Sequence, residues 1–177
     1  FAPPPGSASL SRIVVHGLSG DDYIGMSNSL TLPAWLYGDA GNDQLWGGGG
    51  ANLLMGGAGN NTLWGGNGRS LLIGGAGKNS LLAGRGDAIQ IGGTTDYDTN
   101  DRALLWLLNS WNAPTSYPSR VAAITNSHAA YALNAKTAHA GRAADALFAG
   151  LGKSLYFQGP KDAIRDKKAG ETVVRLR

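Results

Sequence analysis

The sequence predicts a mainly β protein, a short parallel β-roll (a solenoid of stacked coils) with a small helical insert near residues 99–126. Three observations predict it. Glycine occurs 28 times in 177 residues and falls on a nine-residue beat. Between the Gly-rich stretches stand Leu-containing triplets, too short for helices and suited to strands. One segment, Arg102 to Trp111, leaves the beat and carries apolar residues at helical spacing. A hydrophobic content of 42% separates the chain from a disordered Gly-rich linker.

Taken in order, residues 1–12 read as a linker, rich in proline at Pro3-Pro4-Pro5. A chain opening on Phe1 is expected to be a processed product or the tail of a longer protein. Residues 13–98 read as the roll. Gly17 to Ile24 is a first, weak copy of the repeat, and a spacer through Tyr37 follows it. From Gly38 to Ile91 six nonapeptides run without a gap: GDAGNDQLW, GGGGANLLM, GGAGNNTLW, GGNGRSLLI, GGAGKNSLL and AGRGDAIQI. Position four is Gly in all six, and position eight is Leu in five, Gln90 being the exception. Six turn residues and a three-residue strand make half a coil, so two repeats close a coil of 18 residues. Position eight should point inward, and positions seven and nine outward.

Residues 99–139 read as a helical insert. Its helix should be capped near Asp98 or Thr99, with Leu104, Leu105, Leu108 and Trp111 on the apolar face. Pro114 and Pro118 should break the chain, and Ser119 to Thr125 should form a second short helix. Docking of this insert is expected to cover the ends of a stack with few coils, and to cover its apolar sheet. Residues 140–177 read as a second short repeat block and C-terminal tail, with copies at Ala140 to Phe148 and Ala149 to Phe157 and a truncated one at Lys161 to Ile164.

The nonapeptide pattern resembles the RTX, or haemolysin-type, calcium-binding repeat, G-G-x-G-x-D-x-U-x. The resemblance implies a parallel β-roll with calcium between its turns, held by the position-six Asp and by turn carbonyls. It also implies an extracellular, cell-surface or periplasmic location. This chain departs from the pattern at position six, which reads Asp43, Asn52, Asn61, Ser70, Asn79 and Ala88. One carboxylate in six does not meet calcium's demand for anionic oxygen, so most turns should be metal-free, with Asn and Ser bonding to turn backbone instead. No cofactor is required on this reading. One or two calcium ions remain expected at the ends, at Asp21, Asp22, Asp39 and Asp43, and more weakly at Asp145 with Asp162.

The outward residues divide into two faces. One carries Leu53, Leu71 and Ile89 beside Met55, Ile73 and Ile91, and being apolar it should be covered, most simply by the helix. The other carries Gln44, Thr62 and Ser80 beside Trp46, Trp64 and Leu82. Its two indoles should stack one coil apart as a ridge, offering either a docking surface for a protein partner or a bed for Ile13 to Val15.

The remaining motifs point away from other classes. No Cys is present, so thiolate sites and disulfides are excluded. The longest apolar run, Ala103 to Leu108, is far below the roughly 20 residues of a membrane span. The net charge of +3 is scattered rather than gathered into a basic, aromatic-lined patch, so no nucleic-acid partner is expected. His16, His128 and His139 fall at no metal-binding spacing, and no nucleophile motif occurs, so the chain should not be an enzyme. Asp96-x-Asp98-x-Asn100 resembles the start of an EF-hand loop but lacks its Gly and closing Glu. Arg85-Gly86-Asp87 is an adhesion tripeptide in form only. These features favour a structural or interaction module, a subunit or C-terminal part of a larger exported bacterial assembly. The alternatives are a calcium-stabilised export module and an accessory domain of a secreted enzyme.

Overall fold

The computed structural model describes residues 10–177. The nine-residue beat produces strands that alternate between two facing parallel sheets. One sheet has seven strands: β1 (Ile13–His16), β3 (Ala34–Tyr37), β5 (Asn52–Met55), β7 (Ser70–Ile73), β9 (Ala88–Ile91), β13 (Ser154–Gln158) and β15 (Thr172–Arg175). The other has six: β2 (Tyr23–Gly25), β4 (Gln44–Trp46), β6 (Thr62–Trp64), β8 (Ser80–Leu82), β12 (Ala146–Phe148) and β14 (Ala163–Arg165). The register aligns Leu45, Leu63, Leu81 and Leu147 in one column. Together with Leu36, Leu54, Leu72 and Tyr156 they form the core between the sheets. This is the parallel β-roll that the repeat implies.

Position four is Gly because stacked turns touch there. A Cβ on Gly59 would lie 2.0 Å from the Gly41 carbonyl oxygen, and one on Gly68 would lie 1.7 Å from that of Gly50. Gly59 also sits at φ +117°, a region that side chains disfavour. The Gln90 exception is explained locally. Its side chain is fully buried in the interior column, and Nε2 donates to the Phe148 carbonyl at 3.0 Å and to Ser154 Oγ at 3.2 Å. Next along that column, the Tyr156 hydroxyl donates to the buried Glu171 at 3.2 Å.

After β9 the chain leaves the stack. The excursion is rooted in a small antiparallel pair, β10 (Thr94–Thr95) with β11 (Ala138–His139). It carries two helices, α1 (Asp101–Asn112) and α2 (Tyr117–Thr125). The chain then rejoins the same sheets, β12 beside β8 and β13 beside β9. The second repeat block therefore continues the first roll.

The helices pack on the outer face of the seven-stranded sheet. Leu53, Leu71, Ile73, Ile89 and Ile91 meet Leu104, Leu107, Leu108 and Trp111 in a second core. Beneath α1, the buried Arg120 pairs with Asp87 and lies over the Trp111 ring, while the Trp111 indole donates to the Asp87 carbonyl at 3.1 Å.

Several expectations are corrected. The spacer before Tyr37 contains β3, and the C-terminal tail contains β15, because each finds a neighbouring strand to pair with. Ile13 to Val15 does not lie over the tryptophans; it forms β1, on the opposite sheet. The cap of α1 is Asn100, whose side chain accepts from Ala103 N–H at 3.1 Å, while Asp98 turns back to Thr95. Leu105 is exposed, and Leu107 takes its place on the buried face. Pro118 falls in the first turn of α2, where a missing N–H costs nothing, behind the Ser116 cap. The insert covers a face and not the ends of the stack, whose edge strands β1, β2, β14 and β15 each pair on one side only among the described residues.

Candidate functional site

Position six forms a continuous hydrogen-bonded column along one edge of the roll. Asp22 N–H donates to Asp43 Oδ1 at 2.9 Å, Asp43 N–H to Asn61 Oδ1 at 2.9 Å, and Asn61 N–H to Asn79 Oδ1 at 3.0 Å. Asn79 N–H then donates to Asp145 Oδ1 at 2.7 Å, and Asp145 N–H to Asp162 Oδ1 at 3.1 Å. The column runs past the helical excursion without a break. Its neighbour at position five repeats the arrangement, with Asn42 N–H on Asp21, Asn60 N–H on Asn42, and Lys78 N–H on Asn60.

From Asp43 onward each position-six side chain uses one oxygen in this column, and the second atom distinguishes the coils. In Asn79 it is an amide nitrogen donating to the Gly92 and Gly77 carbonyls at 3.3 Å, and Asn61 Nδ2 likewise reaches the Gly59 carbonyl. In Asp22, Asp43 and Asp145 the corresponding Oδ2 is buried without a hydrogen-bond partner. An acceptor there stands where the column elsewhere places a donor, which leaves a need for a proton or a cation. Burial, reinforced by nearby carboxylates including Asp22, raises Asp43 above the usual range. Burial, reinforced by Asp162, pushes Asp145 up to about 6.

Calcium fits these residues at two places by donor chemistry. Asp22 and Asp43 stack as a pair, both with an orphan oxygen. Asp145 and Asp162 form a second pair, although Asp162 Oδ2 already accepts Gly159 N–H at 2.7 Å. The middle coils, with Asn61 and Asn79, do not fit. Among the described residues no three acidic or His side chains converge, so further ligands would be turn carbonyls. The four acids at the first end do not share one point. Asp21 accepts from Asn42, and Asp39 accepts from Leu18 N–H and contacts His16 Nδ1 at 3.0 Å. The repeat register, with Gly17 at position one, places Asp22 at position six beside Asp43 and Asp21 at position five beside Asn42, as the column has them.

On the uncovered face, Trp46 and Trp64 stack with ring centroids 4.6 Å apart, and Trp64 is 38% exposed. They border a groove of about 600 Å³, walled also by Met26, Leu82, Arg85 and Leu151. The Trp46 indole N–H is buried and has no acceptor among the described residues. Leu82 follows Trp64 in register, one coil further.

The other motifs are absorbed structurally. Asp87 of the Arg85-Gly86-Asp87 tripeptide holds Arg120 and accepts Lys153 N–H at 2.7 Å. Asp98 accepts from Thr95 N–H and Oγ1. His139 Nε2 contacts Asp96 Oδ1 at 2.6 Å. No helix among the described residues is long and apolar enough to cross a membrane.

Compared with known proteins, the chain has no significant match to a curated protein or to a solved structure. Residues 35–63 and 55–89 match the family model of the RTX calcium-binding nonapeptide repeat, four copies. The match covers β3 to β9 and includes Asp43, Asn61 and Asn79 of the position-six column. With its parallel strands on a nine-residue beat, this part of the chain is similar to the RTX calcium-binding nonapeptide repeat.

Proposed function

We propose that the chain is a non-enzymatic structural and interaction module on a degenerate RTX roll, working in a larger extracellular, cell-surface or periplasmic assembly. The observation that carries this reading is the position-six column, in which amide side chains supply the donors the turns need. A roll bonded in this way keeps its strands stacked without metal in its middle coils. The stacked Trp46–Trp64 ridge then supplies a rigid apolar contact surface beside the Gln44, Thr62 and Ser80 ladder. The test has two parts. In EDTA the far-UV circular dichroism should keep its β signal; a large loss would overturn the reading. Replacing both indoles (W46S/W64S) should weaken assembly while sparing the fold, and collapse of the monomer would assign the ridge to internal packing.

A second reading, a calcium-stabilised module, is favoured by one observation: the buried orphan oxygens of Asp22, Asp43 and Asp145. Calcium would bind at Asp22 with Asp43, and at Asp145 with Asp162. When bound, it would supply the positive charge that these carboxylates lack. Calorimetric titration giving one or two sites, with a rise in Tm, would support it; no heat at millimolar calcium would exclude it.

A further inference from the structure

We propose that copies of this chain join head to tail: β15 and β14 of one copy add to β1 and β2 of the next and continue both sheets. The contact lies at the ends of the roll, apart from the Trp46–Trp64 ridge, and does not rest on the reading of that ridge.

Each end has the features of a coil that lacks its neighbour. Along the interior column the position-eight leucines are fully buried, whereas Val15 and Ile24 at one end, and Ile164 and Val173 at the other, are only partly covered. Val14, Leu18 and Tyr23 add exposed apolar surface to the first coil. The backbone is open as well. Ile13 and Gly17 N–H donate toward β3, to the Pro33 and Tyr37 carbonyls at 2.8 Å, so by strand alternation Val14 and His16 turn their N–H and C=O outward. Leu176 N–H donates back toward β13, to the Gln158 carbonyl at 2.9 Å, so Val173 and Arg175 turn theirs outward from the last strand. The described residues that enter β1 do not cross this end, because Arg12 lies over the Trp35 ring at 4.3 Å and approaches Asp101 of α1 at 4.0 Å.

Register and charge make the two ends complementary. Carrying the coil register across the join sets Val173 against Val15 and Ile164 against Ile24, which prolongs both interior columns. The outward groups of Val173 and Arg175 then alternate with those of Val14 and His16, as a parallel pair requires. The first coil, residues 13–30, carries Asp21 and Asp22 and neither Lys nor Arg. The last, residues 159–177, carries six Lys or Arg against three acids. Two of those acids, Asp162 and Glu171, are buried and accept backbone N–H groups within the roll. Lys161 precedes Asp162 and so meets Asp21 at position five across the join. Two like ends would bring like charges together, so the cations that blunt the last edge against its own kind favour the opposite end. Such a contact is heterologous and does not close, and copies would add in a row.

The chain has no cysteine, which makes the test clean. In one chain positions 21 and 161 stand five strand spacings apart, about 24 Å, too far for a disulfide; across the join they are about one spacing apart, within its reach. Oxidation of the full-length double variant D21C/K161C in EDTA should therefore give a ladder of covalent dimers, trimers and longer species, while D21C or K161C alone stays largely monomeric. Sedimentation of the wild-type chain should show mass rising with concentration and falling in high salt. Asp21→Lys and Lys161→Glu should each weaken association several-fold with unchanged circular dichroism, and mixing the two variants should recover it as heterodimers. A wild-type chain that stays monomeric to millimolar concentration overturns the proposal, as do single-cysteine dimers in the yield of the double variant. W46S/W64S should leave the disulfide ladder unchanged; its loss in that variant would move the contact to the ridge and overturn the join at the ends.

Discussion

Asp145→Asn should stabilise the metal-free protein, although it removes a charged group from a position where the repeat pattern has Asp. The buried carboxylate uses Oδ1 to accept Asn79 N–H at 2.7 Å, and an Asn oxygen would keep that bond. Its Oδ2 is buried without a partner, where Asn79 one coil earlier has an amide nitrogen donating to turn carbonyls. Burial, with Asp162 adding to it, holds the folded-state pKa at about 6, against 3.8 for the free side chain. A carboxyl group whose pKa rises on folding favours the folded state when protonated. That advantage is lost as pH rises from about 4 through 6, and the penalty is complete at pH 7. A rise of this size corresponds to roughly 3 kcal/mol, or about 5–10 °C in Tm for a chain of this size. Thermal and urea unfolding in EDTA at pH 4, 5, 6 and 7 should show wild type losing stability over this range. The variant should match it at pH 4, exceed it at pH 7, and lose part of any calcium response. A variant less stable than wild type at pH 7 in EDTA, or one with the same pH slope, would refute the account of Oδ2.

The converse change, Asn79→Asp, puts a carboxylate beside Asp145 and removes the donor to the Gly92 carbonyl; it should cost about 2–3 kcal/mol in EDTA, with calcium restoring part of it, as read by urea midpoints. Leu63→Ala opens a cavity in the fully buried interior column and should cost about 2–5 kcal/mol in the same assay. Gly59→Ala places a Cβ 2.0 Å from the Gly41 carbonyl oxygen at a positive φ, and should abolish the cooperative transition or cost at least about 3 kcal/mol. Arg120→Ala leaves Asp87 without its buried cation and loosens the helices from the sheet. It should cost about 3–5 kcal/mol and raise hydrogen exchange in α1 before the middle strands. Trp64→Ser tests the opposite expectation: the indole is partly exposed, so the Tm should fall by only a few degrees, and a larger loss would show that the ridge belongs to the core.

The nine-residue beat was sufficient to place β2, β4 to β9 and β12 to β14, because each coil must repeat the same turn before it can stack. It also placed the interior Leu column and the apolar sheet under α1, since both follow from strand alternation. Position six revealed in the sequence that the middle turns lack carboxylates, and Asn and Ser chemistry explained what replaces them. Other elements carried no such local mark. Ala34 to Tyr37 is a strand because β1 and β5 pair on either side of it, and Thr172 to Arg175 because β13 offers an open edge. Neither is framed by glycine turns, so their identity lies in pairing and not in residue pattern.

What the sequence determined by itself was the repeat, and with it the roll, since backbone turn geometry and alternation are short-range properties. Only the tertiary structure decided that the second repeat block joins the first, bringing Asp145 onto Asn79 across 66 residues. It alone also decided that Asp39 turns to His16 rather than joining the Asp22–Asp43 pair. These outcomes depend on which coils lie against each other after the chain has left the stack and returned, and a local pattern does not record that long-range packing.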